Sequence, residues 1–229
     1  MDLLADQFSR LLDSLPTDNP WPTLEASGFL DLLKPETDGG AGLPLEALFP
    51  LALELGGRPE PPPILREIAA RAPGDPTRAL WATLAAGEMA GAMLAIQALT
   101  VEYALTRKQF GREIGRFQAV QHQIAVMAQE VLAARMAAQA AFLGPAPEVS
   151  EHRAGVAKLR CCQAARSVSA IAHAVHGAIG VSEEYALHPL TRRLRQLALA
   201  HGGEGWWAAR LGAWALSESS DLTTLARKL

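Results

Sequence analysis

The chain has 229 residues, of which 49% are hydrophobic, and a formal net charge of −3. This length supports one large or two modest domains with a hydrophobic core, and the interspersed charges predict binding neither to nucleic acid nor to an anionic membrane. Cys161 and Cys162 are adjacent and cannot form an ordinary disulfide with each other. We expect reduced, buried thiols in a cytoplasmic protein, and we see no signal-peptide pattern.

The first quarter of the chain shows helical periodicity, and alternating strand patterns are nearly absent from the whole sequence. Leucine and phenylalanine recur on one face of residues 3–15, and Pro16 follows as a stop. A short helix ending near Leu33 and a second helix closed at Gly56 are expected next. We predict a helical N-terminal domain over residues 1–57.

The segment 58–78 is rich in proline and permits at most a short helix over residues 64–70. Long helical patterns follow, and they predict an antiparallel bundle over residues 79–229. The apolar segment 79–101 approaches the length of a membrane span, but it contains Glu88 and favours a buried helix. The fold class predicted is all-α, and the expected bundle helices cover residues 79–109, 116–143, 149–176, 190–200 and 204–217.

A cluster of polar and aromatic residues, RKQFGR at positions 107–112, interrupts the first bundle helix. In one interpretation Arg107 stabilises the C-terminal carbonyls of that helix, Gly111 caps it, and Phe110 packs between helices. In the other, the planar guanidinium of Arg107 binds a phosphate. Physical reasoning on the sequence leaves both open.

The stretch YALTRKQFGREIGRFQAVQHQIAVMAQEV, residues 103–131, closely resembles the C-terminal helical domain of the acyl-CoA dehydrogenases. In these flavoproteins Tyr-x-x-x-Arg-x-x-Phe-Gly precedes Phe-Gln-x-x-Gln and an aliphatic helix. The resemblance implies that FAD is the cofactor, that Arg107 binds its pyrophosphate, and that Gln109 and Phe110 line the same site across a dimer interface. It also implies a contact from Gln118.

Two further stretches resemble the same family in the same order. Residues 24–57 are similar to its N-terminal helical domain, and HGAIGVSEEYALHPLTRRLRQL, residues 176–197, is similar to its His-Gly-Gly-x-Gly turn and the helix that follows. Gly177 and Gly180 match this turn and are implied FAD-site residues. Ala178 replaces the second glycine of the turn, and Ala174 replaces a flavin-contacting glutamine.

The chain also departs from the family. A β-barrel domain separates the two helical domains in the family, whereas residues 58–78 take its place here. The family's catalytic glutamate would fall at His201 or, less commonly, near Trp81. Glu204 follows three residues after His201. These two residues are the candidate bases, because a base must reach the substrate proton and have a suitable pKa. The alternative is that His201 to Glu204 form an ordinary loop and helix start.

The resemblance and the departures from the family pattern leave three possible functions. The chain is a reduced acyl-CoA dehydrogenase acting on an acyl-CoA thioester, a helper subunit that completes the FAD site of a full-length acyl-CoA dehydrogenase, or a structural protein without flavin. A homo-oligomer or a hetero-oligomer is expected. No metal site is expected, although His173 and His176 lie three residues apart. The face containing Trp207 and Trp214 is either bundle core or a partner surface.

Overall fold

The computed structural model describes residues 3–144, 149–218, 221 and 223–225, so residues 1–2, 145–148, 219–220, 222 and 226–229 of the two predicted domains lie outside the described residues. The predicted all-α fold is confirmed, with one two-stranded hairpin as its sheet in this part of the chain. The helices are α1 (Leu3–Ser14), α2 (Trp21–Ser27), α3 (Leu48–Gly56), α4 (Ile64–Arg71), α5 (Arg78–Thr106), α6 (Gln118–Ala141), α7 (Glu151–His176), α8 (Leu187–Leu199) and α9 (Glu204–Ser217), and the strands are β1 (Lys108–Gln109) and β2 (Arg112–Glu113).

Helix α5 is the centre of the bundle, since α3, α6, α7 and α8 all pack against it. It is long and apolar enough to cross a membrane, but 78% of its most apolar window is buried inside the protein. Glu88 of this helix is bound by Arg193 of α8 and is itself mostly buried. The helix is therefore a core element of the bundle, as the sequence predicts.

Two glycines allow α3 and α5 to cross at close range. A Cβ atom added at Gly56 would lie 2.0 Å from the carbonyl oxygen of Glu88, and one added at Gly91 would lie 2.1 Å from that of Leu53. Any larger residue would push the two backbones apart. This crossing fixes the N-terminal helices onto the bundle.

The predicted boundaries of the bundle helices are correct within about three residues, whereas the short helix expected to end near Leu33 ends at Ser27, where Gly28 with φ 75° closes it. Helix α5 ends at Thr106 rather than at residue 109, and α8 begins at Leu187 rather than at residue 190. The buried hydrophobic cluster includes Phe8 of α1, Ile68 of α4 and Leu194 of α8, so it continues across the segment 58–78. The division into domains 1–57 and 79–229 stays a prediction.

The aromatic face of α9 packs onto α7. Trp207 is 1% exposed, and a Cβ added at Gly155 of α7 would lie 2.8 Å from its ring. The ring of Trp214 stacks on His152 with centroids 4.0 Å apart. These contacts support the bundle-core interpretation of this face.

Candidate functional site

A β-hairpin follows the end of α5. The N–H of Ile114 donates to the carbonyl of Arg107 at 2.8 Å, and the cross-strand pairs are Lys108 with Glu113 and Gln109 with Arg112. The turn between the strands has φ 51° at residue 110 and φ 76° at residue 111. Positive φ at both central positions is the signature of a two-residue hairpin turn, so the interpretation of Gly111 as a helix cap is wrong.

Phe110 is held at the tip of this hairpin. Its side chain is 91% exposed, and its ring meets the edge of Phe117 at a centroid distance of 6.1 Å. It does not pack between helices, contrary to one of the two interpretations of the sequence. A bulky residue at positive φ is strained, and such residues concentrate at functional sites.

The hairpin has two chemically different faces, because side chains alternate along a strand. Arg107 and Gln109 share one face with Arg112, which lies directly opposite Gln109. Lys108 and Glu113 share the other face, where the Lys108 Nζ lies 3.9 Å from a carboxylate oxygen of Glu113. The Arg107 face thus carries two cations and an amide without a carboxylate, a donor set suited to a diphosphate.

Arg107 is exposed, and within residues 3–144 and 149–218 its side chain makes no ion pair or hydrogen bond. It therefore does not bind the carbonyls at the end of α5, which leaves its guanidinium available for a ligand. Arg112 is oriented differently, with its guanidinium 4.2 Å above the ring of Phe117. Gln118 is exposed at the first residue of α6, whose N-terminus has no side-chain cap. Uncapped N–H groups in a first helical turn favour an anion.

The predicted glycine turn lies at the same end of the bundle. Tyr103, one turn before the end of α5, donates from its hydroxyl to the carbonyl of His176 at 3.4 Å, and the two rings stack at 4.4 Å. Gly177 has φ 64° and ψ −140°, which only glycine adopts readily. Gly180 is buried, and an added Cβ would lie 3.1 Å from Leu187. The structure therefore brings Gly177 and Gly180 close to the base of the hairpin.

His176 is buried beneath this turn. Its Nδ1 lies 2.8 Å from the carbonyl of Ala172, whereas its Nε2 is buried without a hydrogen-bond partner. Burial lowers the pKa of the imidazole. The Nε2 of His173 lies 3.1 Å from the hydroxyl of Thr191. No group of three His, Cys, Asp or Glu residues that can hold a metal exists in the part of the chain that the structure describes.

The two positions that correspond to the family's catalytic bases meet in space. His201, with φ 56°, stacks on Trp81 at a centroid distance of 5.9 Å. Burial and then the positive charges of Lys158 and two arginines lower the pKa of His201, so its imidazole is neutral near pH 7. Both rings line a cavity of about 300 Å³, and Pro61 and Pro63 of the segment 58–78 form part of its wall.

Lys158 fixes the loop that carries His201. It is fully buried, and its Nζ donates to the carbonyls of Ala198 at 2.8 Å and Gly202 at 3.1 Å. Burial lowers the pKa of this lysine. Sequence reasoning missed Lys158, because the acceptors it binds lie about 40 residues away in the chain.

Glu204 begins α9 and is bound by Arg166. The two guanidinium nitrogens lie 3.0 and 2.9 Å from the two carboxylate oxygens. The guanidinium of Arg166 thus occupies both oxygens of this carboxylate, at a helix N-terminus where an acidic residue is favoured. The geometry supports the interpretation of residues 201–204 as a loop and helix start.

The two sets of predicted site residues lie at opposite ends of α5. Arg107, Gln109, Phe110 and the glycine turn lie at its C-terminal end, whereas His201 contacts Trp81 at its start. The 25 steps along the helix from Trp81 to Thr106 correspond to roughly 38 Å of helical rise. This distance is much longer than the ribityl chain and ring system of FAD. Arg107 and His201 of one chain therefore cannot serve the same flavin.

Comparisons with known proteins agree with the fold. The family model for the acyl-CoA dehydrogenase C-terminal domain matches residues 78–214. The acyl-CoA dehydrogenase IpdE2 of Mycobacterium tuberculosis is 36% identical over 121 residues, covering 53% of this chain and 35% of that protein. The probable acyl-CoA dehydrogenase YngJ of Bacillus subtilis is 36% identical over 151 residues, covering 62% of this chain and 39% of that protein. The chain thus spans well under half the length of these relatives.

A solved structure shares the fold over almost the whole chain. It is the ChsE4-ChsE5 complex from Mycobacterium tuberculosis, with a TM-score of 0.81 and 16% identity, covering 95% of this chain and 97% of the matched one. At this identity the likeness shows the fold alone.

Proposed function

Because the chain belongs to the acyl-CoA dehydrogenase family, whose cofactor is FAD, we propose that it is a subunit of a flavin-dependent acyl-CoA dehydrogenase assembly. In this proposal it contributes Arg107 and Gln109 to the diphosphate of FAD, with Phe110, Gln118 and the turn from Gly177 to Gly180 beside them. The observation that carries the proposal is the exposed guanidinium of Arg107, unpaired in the described part of the chain, on a strained hairpin.

The reaction proposed for the assembly is the α,β-dehydrogenation of an acyl-CoA thioester, in which bound FAD supplies the hydride acceptor. This chain offers little of the remaining chemistry. Its two base positions hold Trp81 and His201, and segment 58–78 closes part of the cavity beside them. We therefore assign the base and the domain that covers the flavin to a full-length family member as partner. One chain of the ChsE4-ChsE5 complex has the same fold, and its presence in a complex of two named proteins supports a partner for this chain.

The test is the flavin absorbance of the purified chain, alone and co-expressed with a full-length family member from the same organism. We expect near-stoichiometric flavin only in the complex, together with bleaching by a suitable acyl-CoA. Arg107→Ala should remove most of this flavin, because a bidentate Arg–phosphate contact is lost. A complex that never retains flavin would overturn the proposal.

Lys108→Ala is the matched control. It removes the same charge one residue away, but from the opposite face of the hairpin, where Lys108 lies near Glu113. Flavin content should stay near the wild-type level in this variant. Equal losses in Lys108→Ala and Arg107→Ala would mean that overall positive charge, and not the Arg107 face, holds the cofactor.

A second candidate function is a self-sufficient enzyme with His201 as base. The observation in its favour is the lowered pKa of His201 at the family's base position, beside a cavity of about 300 Å³. The variant His201→Ala distinguishes between the two candidate functions. Activity of the complex should persist if the partner supplies the base, and it should vanish if His201 does. A cytoplasmic location stays a prediction, consistent with two free and buried cysteines.

A further inference from the structure

Lys158 and Cys162 form a buried amine–thiol pair on α7. The Lys158 Nζ lies 3.6 Å from the Cys162 Sγ, because residues four apart on a helix are neighbours on one face. Lys158 is fully buried, and no carboxylate of the described residues pairs with it. A lysine is almost never fully buried unless a partner balances its charge. Its neutral neighbours therefore have to account for its position.

The hydrogen bonds of Lys158 aim its amine at the sulfur. Its Nζ donates to the carbonyls of Ala198 and Gly202, and the thiol of Cys162 donates to the same carbonyl of Ala198 at 3.4 Å. Burial lowers the pKa of Lys158, which increases the fraction of neutral amine. A neutral amine has two N–H groups and one lone pair. When both N–H groups are bound to the two carbonyls, the lone pair faces the Sγ of Cys162.

The two adjacent cysteines differ in their access to solvent. Cys162 lines an open cavity of about 310 Å³ between α7 and α8, together with Ser169 and Arg195. Cys161 points to the inside of the bundle, where its Sγ lies 3.6 Å and 3.7 Å from carbonyl oxygens of α5 and α6. A small oxidant that enters the cavity therefore meets Cys162 and not Cys161.

The two thiols also differ in acidity. Burial raises the pKa of Cys161 to about 12. Burial raises the pKa of Cys162 as well, but there the positive charge of Lys158 is the largest opposing effect. The thiolate is the form that attacks an oxidant. We therefore expect oxidation to be slow at Cys162 and slower still at Cys161.

We propose that Lys158 and Cys162 are an oxidative modification site, at which hydrogen peroxide converts the thiol to a sulfenic acid that the amine captures as a sulfur–nitrogen cross-link. In the first step the sulfur attacks one peroxide oxygen, the O–O bond breaks, and a sulfenic acid and one water are formed. In the second step the Lys158 lone pair attacks the sulfur, the S–O bond breaks, and the hydroxyl leaves as water with a proton from the nitrogen. The sulfur loses two electrons, and the peroxide gains them. Sulfenic acids condense in the same way with backbone nitrogens.

The cross-link changes the support of the loop that carries His201. The linked nitrogen has one N–H group and no charge, so it can bind only one of the two carbonyls that Lys158 binds in the reduced chain. One of these carbonyls belongs to the C-terminal end of α8 and the other to Gly202. Oxidation should therefore increase the mobility of residues 199–203.

Peptide mapping of the purified full chain tests the cross-link. Trypsin cleaves the reduced chain after Arg153, Lys158, Arg160 and Arg166, whereas a substituted lysine is not cleaved. After long incubation with hydrogen peroxide, peptides 154–160 and 161–166 should be found joined, with a mass two hydrogens below their sum. Neither peptide contains methionine or tryptophan, so oxidation of those residues cannot disturb the measurement. Dithiothreitol should release both peptides.

Variants of the two cysteines identify the reacting sulfur. Cys161→Ala is the matched control, because it removes the adjacent thiol and should still give the joined peptides. Cys162→Ala should abolish them, and it keeps Lys158 with its two carbonyl contacts. In Lys158→Met no amine captures the sulfenic acid, so a cyclic diketone that labels sulfenic acids should label Cys162 in this variant.

The results that would overturn the cross-link are equally specific. Normal cleavage after Lys158 in fully oxidised protein would mean that this lysine only binds the loop carbonyls. A loss of two hydrogens confined to peptide 161–166, and absent from Cys161→Ala, would identify a bond between the two cysteines instead. Amide hydrogen exchange over residues 199–203 should be faster in the cross-linked chain than in peroxide-treated Cys162→Ala, and equal rates would refute the effect on the loop.

Discussion

Phe110 occupies a backbone conformation that suits asparagine far better than an aromatic residue. Replacing it by asparagine should stabilise the free chain by about 1 kcal/mol, because Asn-Gly is the preferred pair for this turn and the left-handed region penalises bulky residues by roughly that amount. The ring is 91% exposed, so its loss removes little packing. Urea unfolding of Phe110→Asn and of the wild-type chain measures the difference.

The same variant should bind FAD more weakly in the complex, on the order of tenfold if the ring stacks on the cofactor. Phe110→Ala separates the two effects. Alanine removes the ring but keeps a strained φ of 51°, so its affinity should fall without a gain in stability. Unchanged FAD affinity in both variants would mean that the strained aromatic residue has no part in the site.

His176 predicts how acid affects the fold. Burial lowers its pKa, so the folded chain binds fewer protons than the unfolded chain between the folded-state pKa and the ordinary value near 6.5. Stability should therefore rise with pH through this window and fall as the pH drops below about 6.5. His176→Phe keeps an aromatic ring beside Tyr103 but cannot titrate, so thermal unfolding from pH 7.5 to 5 should show a shallower loss. A residual slope is expected, since the pKa values of His173 and His201 are lowered too.

At the scale of single elements, the crossing of α3 and α5 requires glycine, whereas the glycine at position 212 of α9 is not required by any close contact. Gly91→Ala should destabilise the chain by about 1–3 kcal/mol or more, because its methyl group would lie 2.1 Å from the carbonyl oxygen of Leu53. Gly212→Ala in α9 meets no atom within 4 Å and should stabilise the chain by roughly 0.5–1 kcal/mol through helix propensity. Denaturant unfolding should show a lower free energy of unfolding for Gly91→Ala and a higher one for Gly212→Ala. A higher free energy of unfolding in both variants would refute the close crossing.

The helices could be predicted from sequence because their periodicity and stop signals are local. The hairpin could not, since Phe-Gly is not a recognised turn pair and the helical pattern continues through Lys108 and Gln109. Had the turn been recognised, alternation along the strands would have placed Arg112 on the face of Arg107. The pairing of Trp81 with His201 was also hidden, because 120 residues separate them and only packing brings their rings to 5.9 Å.

For the whole molecule, the opposite placement of Arg107 and His201 predicts that FAD stabilises an assembly and not the isolated chain. A ligand that binds only the folded complex adds about 2.7 kcal/mol at a free concentration of 100 times its dissociation constant. Calorimetric scans of the complex should therefore move to higher temperature with FAD, and scans of the chain alone should not. Riboflavin lacks the diphosphate that Arg107 is proposed to bind and should have little effect on either.

Arg107→Lys sharpens this last prediction, because lysine keeps the charge but cannot form the planar two-point contact with a phosphate. The FAD-dependent shift of the complex should be intermediate between wild type and Arg107→Ala, and it should weaken further as salt screens the remaining charge. A full shift in Arg107→Lys at high salt would show that the cofactor is held by other groups. Any FAD-dependent shift in the chain alone would refute the need for a full-length partner, because FAD would then be held by one copy of this chain or by two copies together.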